Sequence, residues 1–168
     1  LADKSDIKKY FLGSILSGGG STPPTNQPSS WVELYNGFQQ EALKTRLKIP
    51  LIYGIDAVHG HNNVLGATMF PHNIGLGCMD DKALVQEIAA ATAAEVKATG
   101  LDWTFAPCVA VAQDERWGRT YESYSEDSDI VTELGVASTI GYQGRTLNKN
   151  SVLACAKHFV GDGNTVFG

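Results

Sequence analysis

Three short stretches of the sequence place protonatable and hydrogen-bonding groups directly after apolar runs. The first, PLIYGIDAVHGHNN over residues 50–63, leads from Leu51, Ile52, Tyr53 and Ile55 into Asp56, His59 and His61. The second, QDERWGRTYESYSED, carries Asp114, Glu115, Arg116, Trp117, Arg119 and Glu122. The third, ACAKHFVGDGNT, carries Lys157, His158 and Asp162. A carboxylate, a guanidinium, an ammonium and an imidazole around one pocket suit a polyhydroxylated ligand. The carboxylate accepts from hydroxyl groups, while Arg and Lys donate to their oxygens. Trp103 and Trp117 offer apolar faces for a sugar ring. The same groups also fit ordinary ion pairs between loops, and Arg116 with its acidic neighbours reads that way as readily as Arg119 does.

A second chemistry is open to the first stretch. His59 and His61 are two apart, so on an extended segment both imidazoles would face one way and could ligate a metal, as in metal-dependent barrel hydrolases. Against this, Gly60 and the flanking glycines favour a turn. His158 would be a further ligand, and no clear set of carboxylates accompanies it. His72, after Pro71, reads as a packed or capping histidine.

The elements that must position these groups follow from periodicity. Ile7, Tyr10, Phe11 and Leu12 mark a helical turn leading into a strand over residues 13–16. The Gly/Ser/Pro-rich run 17–30 reads as a long strand-to-helix loop. Ser30 with Glu33 has the form of a capping box, and Trp31, Leu34, Tyr35, Phe38 and Ala42 continue at helical spacing toward Lys48. A second strand spans 51–55, and residues 71–76 read as irregular. Asp80 or Asp81 caps a long helix that stops at Gly100. The third strand covers 103–111, with Pro107 bending it or ending its ladder early. A helix over 127–142 and a fourth strand over 151–156 close the pattern. Strands alternating with helices require right-handed crossovers and a parallel sheet. Polar groups at the C-terminal ends of the strands are the mark of a (β/α) barrel, whose sites lie at that mouth. The fold class is therefore α/β, a partial (β/α)8 barrel of the TIM type. An open doubly wound sheet is the alternative, but Gly18-Gly19-Gly20 is not the phosphate-binding GxGxxG loop.

The 168 residues suffice for one domain core, whereas a whole barrel takes about 250. The chain is therefore expected to be an incomplete barrel over 1–168, a fragment that would be aggregation-prone on its own. The net charge of −5 and the lack of a basic run argue against nucleic-acid binding. No apolar stretch approaches the ~20 residues of a membrane span. No charged-then-apolar leader opens the sequence. Cys78, Cys108 and Cys155 form no CxxC pair, and their odd number argues against a disulfide framework; each lies in an apolar context, which reads as a buried free thiol.

GIDAVHGHNN, FAPCVAVAQDERWGRTYESYSED and ACAKHFVGDGNT, in this order and spacing, resemble the N-terminal barrel domain of glycoside hydrolase family 3, closest to its β-glucosidases and exo-β-glucanases. GSILSGGGS over 13–21 resembles the second barrel strand of that family, which implies that the chain holds roughly the second to fifth βα units and is truncated at both ends. The resemblance runs over essentially the whole chain. It implies that Asp56, Arg119, Lys157 and His158 bind the sugar at the non-reducing end of a β-glucoside or β-glucan oligosaccharide. Glu122 would orient one of the basic groups, and His61 would shape the loop from behind. It also implies retaining hydrolysis through a covalent glycosyl-enzyme, no cofactor, and a secreted or periplasmic parent protein. Family members that act on N-acetylglucosamine carry a catalytic histidine in a GHG turn. Here that turn reads Gly161-Asp162-Gly163, which points to the glucosidase branch. The nucleophile of the family lies in a segment resembling SDW, absent from this sequence, and the acid/base lies later still. The expectation is a chain that holds substrate, partners the rest of its parent, and is inactive alone. The metal-dependent hydrolase and a non-catalytic carbohydrate-binding domain remain the competing readings.

Overall fold

A computed structural model describes residues 3–166. Among them three parallel strands, β1 (Ser14–Ser17), β2 (Ile52–Ile55) and β3 (Trp103–Thr104), form a sheet in sequence order. The register pairs Ser17 with Ile55 and Ile55 with Thr104. The fourth predicted strand lies where expected, beside β3, but it is joined by single bridges at Trp103–Leu153 and Cys108–Lys157. The predicted third strand also shrinks to two residues as a regular ladder element. Pro107 has no N–H to give to a neighbour. The pairing resumes past it, with Lys157 N donating to Pro107 O and Val109 N to Lys157 O.

Among the described residues five α-helices accompany the sheet: α1 (Lys4–Tyr10), α2 (Pro28–Ala42), α3 (Asn73–Met79), α4 (Lys82–Ala98) and α5 (Ser128–Gln143). Helix α2 begins at Pro28 in its first turn rather than at a Ser30 capping box. Proline is pre-set for that position and loses no hydrogen bond there. The helix also stops at Ala42, six residues short of Lys48, in turns closed by Lys44 N to Glu41 O and Thr45 N to Ala42 O. The stretch read as irregular is helical in α3. Its glycines obscured it, and one of them is needed, since a Cβ at Gly77 would overlap the Tyr124 carbonyl. Asp81 caps α4 by accepting from Ala83 N and Leu84 N, and Asp127 caps α5.

Strand alternation divides the sheet. Tyr53 and Ile55 face the helices, with Tyr53 edge-on to Phe38 at 5.5 Å, in a core with Trp31, Val96 and Leu101. Leu16, Ile52, Gly54, Trp103 and Phe105 share the opposite face. Leu16 and Ile52 are exposed there, and the two aromatic rings lie over Gly54, where a Cβ would come within 3 Å of them. Asp56 continues that second face just beyond the end of β2. Of the three cysteines only Cys108 is buried; Cys78 is exposed and Cys155 half-buried. Cys78 sits on the outer side of the short α3, so an apolar sequence context did not mean burial.

Candidate functional site

Each polar group is set by local structure. Asp56 follows β2, and its carbonyl accepts from Asn63 Nδ2 at 2.8 Å. Asn62 Oδ1 accepts from Val58 N at 3.0 Å, and Thr104 Oγ1 donates to Ala57 O at 3.1 Å. These bonds fold the residues after β2 into a fixed turn. Arg119 precedes and Glu122 ends a 3-10 turn, Thr120–Glu122. Buried Asn73 pins that turn by donating to Glu122 O at 2.9 Å and to Cys108 O at 3.3 Å. Ser123 Oγ ties the same segment to Ala110 O at 2.8 Å. Lys157 and His158 follow the fourth paired segment, and the peptide between them is cis.

The structure brings the four sugar-binding candidates together. Lys157 Nζ lies 3.2 Å from Asp56 Oδ1 across 101 residues of sequence. Arg119 Nη2 lies 3.0 Å from His158 Nε2. Glu122 grips the same guanidinium in a fork, with Nε to Oε1 at 2.8 Å and Nη2 to Oε2 at 2.7 Å. Burial alone would raise the Glu122 carboxyl. Its hydrogen bonds from Arg119, with the charges of Arg119 and Lys157, hold it below the usual carboxylate range. Those same bonds to Glu122 raise Arg119 further. The Asp114–Arg116 pair, with its closest approach at 2.5 Å, occupies the outer side of the loop.

Gly18 belongs to the site and was missed. A Cβ on it would overlap the Asp56 carboxylate. The available signal was a glycine run placed directly after β1. Asn63 and Asn73 carried no signal, because an amide in a loop reads as ordinary turn chemistry.

Other candidates lie elsewhere. His61 is 1% exposed, and its Nε2 pairs with Thr99 Oγ1 at 2.9 Å. Burial holds it well below the ordinary imidazole value, at about 4, against a small opposing effect of Glu95. His59 Nδ1 lies 3.1 Å from Phe70 O, and its ring stacks on His72 at 4.0 Å. The two imidazoles of the HxH motif therefore serve different neighbours. Among the described residues no group of three or more His, Cys, Asp or Glu side chains is arranged to hold a metal ion. His72 is packed, edge-on to Tyr121 at 4.7 Å. The tryptophan expectation fails for Trp117, which is buried against Cys108 and Ala110. Trp103 packs edge-on to Phe105 over Gly54 and lines a cavity with Ile7 and Phe38 beside the start of β1.

Comparison with known proteins gives a consistent family. The Glycosyl hydrolase family 3 N terminal domain matches residues 2–167. The lysosomal beta glucosidase of Dictyostelium discoideum is 35% identical over 167 residues, covering 92% of this chain and 20% of that protein. The periplasmic beta-glucosidase of Salmonella typhimurium is 35% identical over 120 residues, covering 71% of this chain and 15% of that protein. The exo-1,3/1,4-beta-glucanase of a Pseudoalteromonas species superposes with a TM-score of 0.91 at 45% identity, over 99% of this chain and 22% of that one. The chain thus spans about a fifth of the length of such relatives.

Proposed function

Since the chain belongs to glycosyl hydrolase family 3 and matches its N-terminal domain, we propose that it forms the sugar-holding part of a β-glucosidase or exo-β-glucanase. Asp56 accepts from hydroxyls of the terminal glucose, and Lys157, Arg119 and His158 surround the same sugar. The observation that carries this reading is the meeting of Asp56 with Lys157 and of Arg119 with His158, at 3.2 and 3.0 Å, from three separate loops. A charged pair at a strand mouth is preorganised for hydroxyls. Each partner already points at the other, and a diol slipped between them exchanges one charge-assisted contact for two.

The reaction on this reading is retaining hydrolysis at the non-reducing end. A carboxylate attacks the anomeric carbon, and water resolves the glycosyl-enzyme. The groups described here hold the ring while carboxylates from the rest of the parent protein do the chemistry, so the 168 residues are proposed to be inactive alone. Binding energy gathered at a non-reacting end of the sugar serves the barrier only if the sugar is held in its reactive pose. We place the parent protein in a secreted or periplasmic compartment, by likeness to the periplasmic relative.

The test is hydrolysis of an aryl β-glucoside by the full-length protein, with and without chelator. Turnover indifferent to chelator is expected, and Asp56→Ala should lower kcat/KM by about two orders of magnitude, equivalent to roughly 2–3 kcal/mol for a charged hydrogen bond. Near-normal kinetics of that variant would remove Asp56 from the site. Chelator-sensitive turnover would favour the metal-dependent reading.

A further inference from the structure

His158 has two neighbours that fix where its proton sits. Its Nε2 faces Arg119 Nη2 at 3.0 Å. A guanidinium has only hydrogens to offer, so Nε2 must present a lone pair. Its Nδ1 faces Asp162 Oδ2 at 2.5 Å. Both of these atoms are sealed from solvent, and as placed neither makes an aligned hydrogen bond, to the other or elsewhere, among the described residues. A buried nitrogen and a buried carboxylate oxygen this close are tolerable only with a hydrogen between them, since two lone pairs would repel and both would remain unsatisfied.

We propose that Asp162 is a positioning residue for the sugar site. It holds His158 as the Nδ1–H tautomer, so that Nε2 can accept from Arg119. The chain Glu122–Arg119–His158–Asp162 is then satisfied at every junction, alternating acceptor and donor. The two carboxylates grip it from opposite ends, and the guanidinium and the imidazole cannot turn independently. Asp162 reaches the ligand only through His158. This inference rests on the sugar-binding reading for its effect on catalysis, but not for the tautomer itself.

The experiment uses the full-length protein. Nitrogen-15 magnetic resonance of its histidines, recorded without sugar and with the His158 signal identified by its loss in His158→Ala, reads the tautomer directly. The wild type should show Nδ1–H at His158 with its proton shifted downfield by Asp162, and in Asp162→Ala that proton should move upfield and exchange faster while Arg119 still keeps a lone pair at Nε2. In hydrolysis of an aryl β-glucoside, Asp162→Ala should lower kcat/KM about tenfold, the scale of one buried hydrogen bond left unsatisfied. Asp162→Asn should recover part of that loss, because its amide oxygen still accepts. In a His158→Ala background the same Asp162→Ala change should cost less than about twofold, as expected when one residue acts only through the other. A tenfold cost retained in that background would overturn the proposal, as would an Nε2–H ring in the wild type or an Nδ1–H proton whose shift and exchange are unchanged in Asp162→Ala. Should the wild type leave β-glucosides intact, the activity reading fails, while the resonance measurement still decides the tautomer.

Discussion

Acid should loosen the turn after β2 through a single side chain, His61. Its imidazole is sealed between that turn and the end of α4, with Nε2 paired to Thr99 Oγ1 and Nδ1 without a partner among the described residues. Thr99 Oγ1 already donates its hydrogen to Val96 O. It therefore accepts from Nε2–H, and the added proton of an imidazolium would sit on Nδ1, facing nothing that accepts it. Burial accordingly lowers the group from 6.5 to about 4. The sign follows from proton linkage. Between those values the unfolded chain takes up a proton that the folded chain refuses. The stabilisation is complete above pH 6.5 and is lost as pH falls toward 4. At about 1.36 kcal/mol per tenfold change in proton concentration, the whole window is worth on the order of 3 kcal/mol, about 2 of it between pH 7 and pH 5. The assay compares the full-length protein with His61→Asn, whose amide still donates to Thr99 but does not titrate. Hydrogen exchange would be followed at pH 7 and pH 5 in peptides covering residues 56–70 and 92–101. The wild type should lose protection there on acidification, while the variant loses far less. Parallel losses in both proteins would show that His61 is not the titrating group.

Two further predictions concern glycines. Gly18→Ala puts a methyl group where the Asp56 carboxylate lies. It should lower kcat/KM on a β-glucoside at least tenfold while leaving the melting temperature within a few degrees; unchanged kinetics would show that the carboxylate is free to swing aside. Gly141→Ala puts a Cβ 2.5 Å from that of Ala89 where α5 crosses α4. It should destabilise by about 1–3 kcal/mol, read as a lowered denaturation midpoint with KM intact. An unaltered midpoint would mean that the helices part without cost.

Much of this was legible because strand mouths announce themselves. Apolar runs ending in Asp56 and in Lys157-His158 could be read from sequence, and the parallel order of the strands followed from their alternation with helices. What escaped was governed by tertiary contact rather than by pattern. Residues 71–76 looked irregular because Pro71 and Gly75, with Gly77 just beyond, carry low helix propensity, yet Gly77 is the residue that lets Tyr124 approach. Trp117 looked like a sugar platform because an exposed and a buried indole have the same sequence. Gly18 escaped because its contribution is an absent side chain, visible only once β1 and β2 are in register. The Ser30–Glu33 spacing met the form of a capping box, but Pro28 had already started the helix before it.

The contact between Asp56 and Lys157 has a consequence for the mechanics of the sheet. It links β2 to a segment 101 residues later, skipping over β3. That later segment is held to β3 by single bridges and a few backbone bonds rather than by a full ladder. Closing so long a stretch of chain is entropically slow, and contacts of this range form late. A sugar held by both side chains would therefore act as a tie rod, fastening the most weakly paired edge to the interior of the sheet. Saturating ligand should slow opening of residues 151–158 more than that of β2, so that occupancy of the site and the cohesion of this edge rise and fall together.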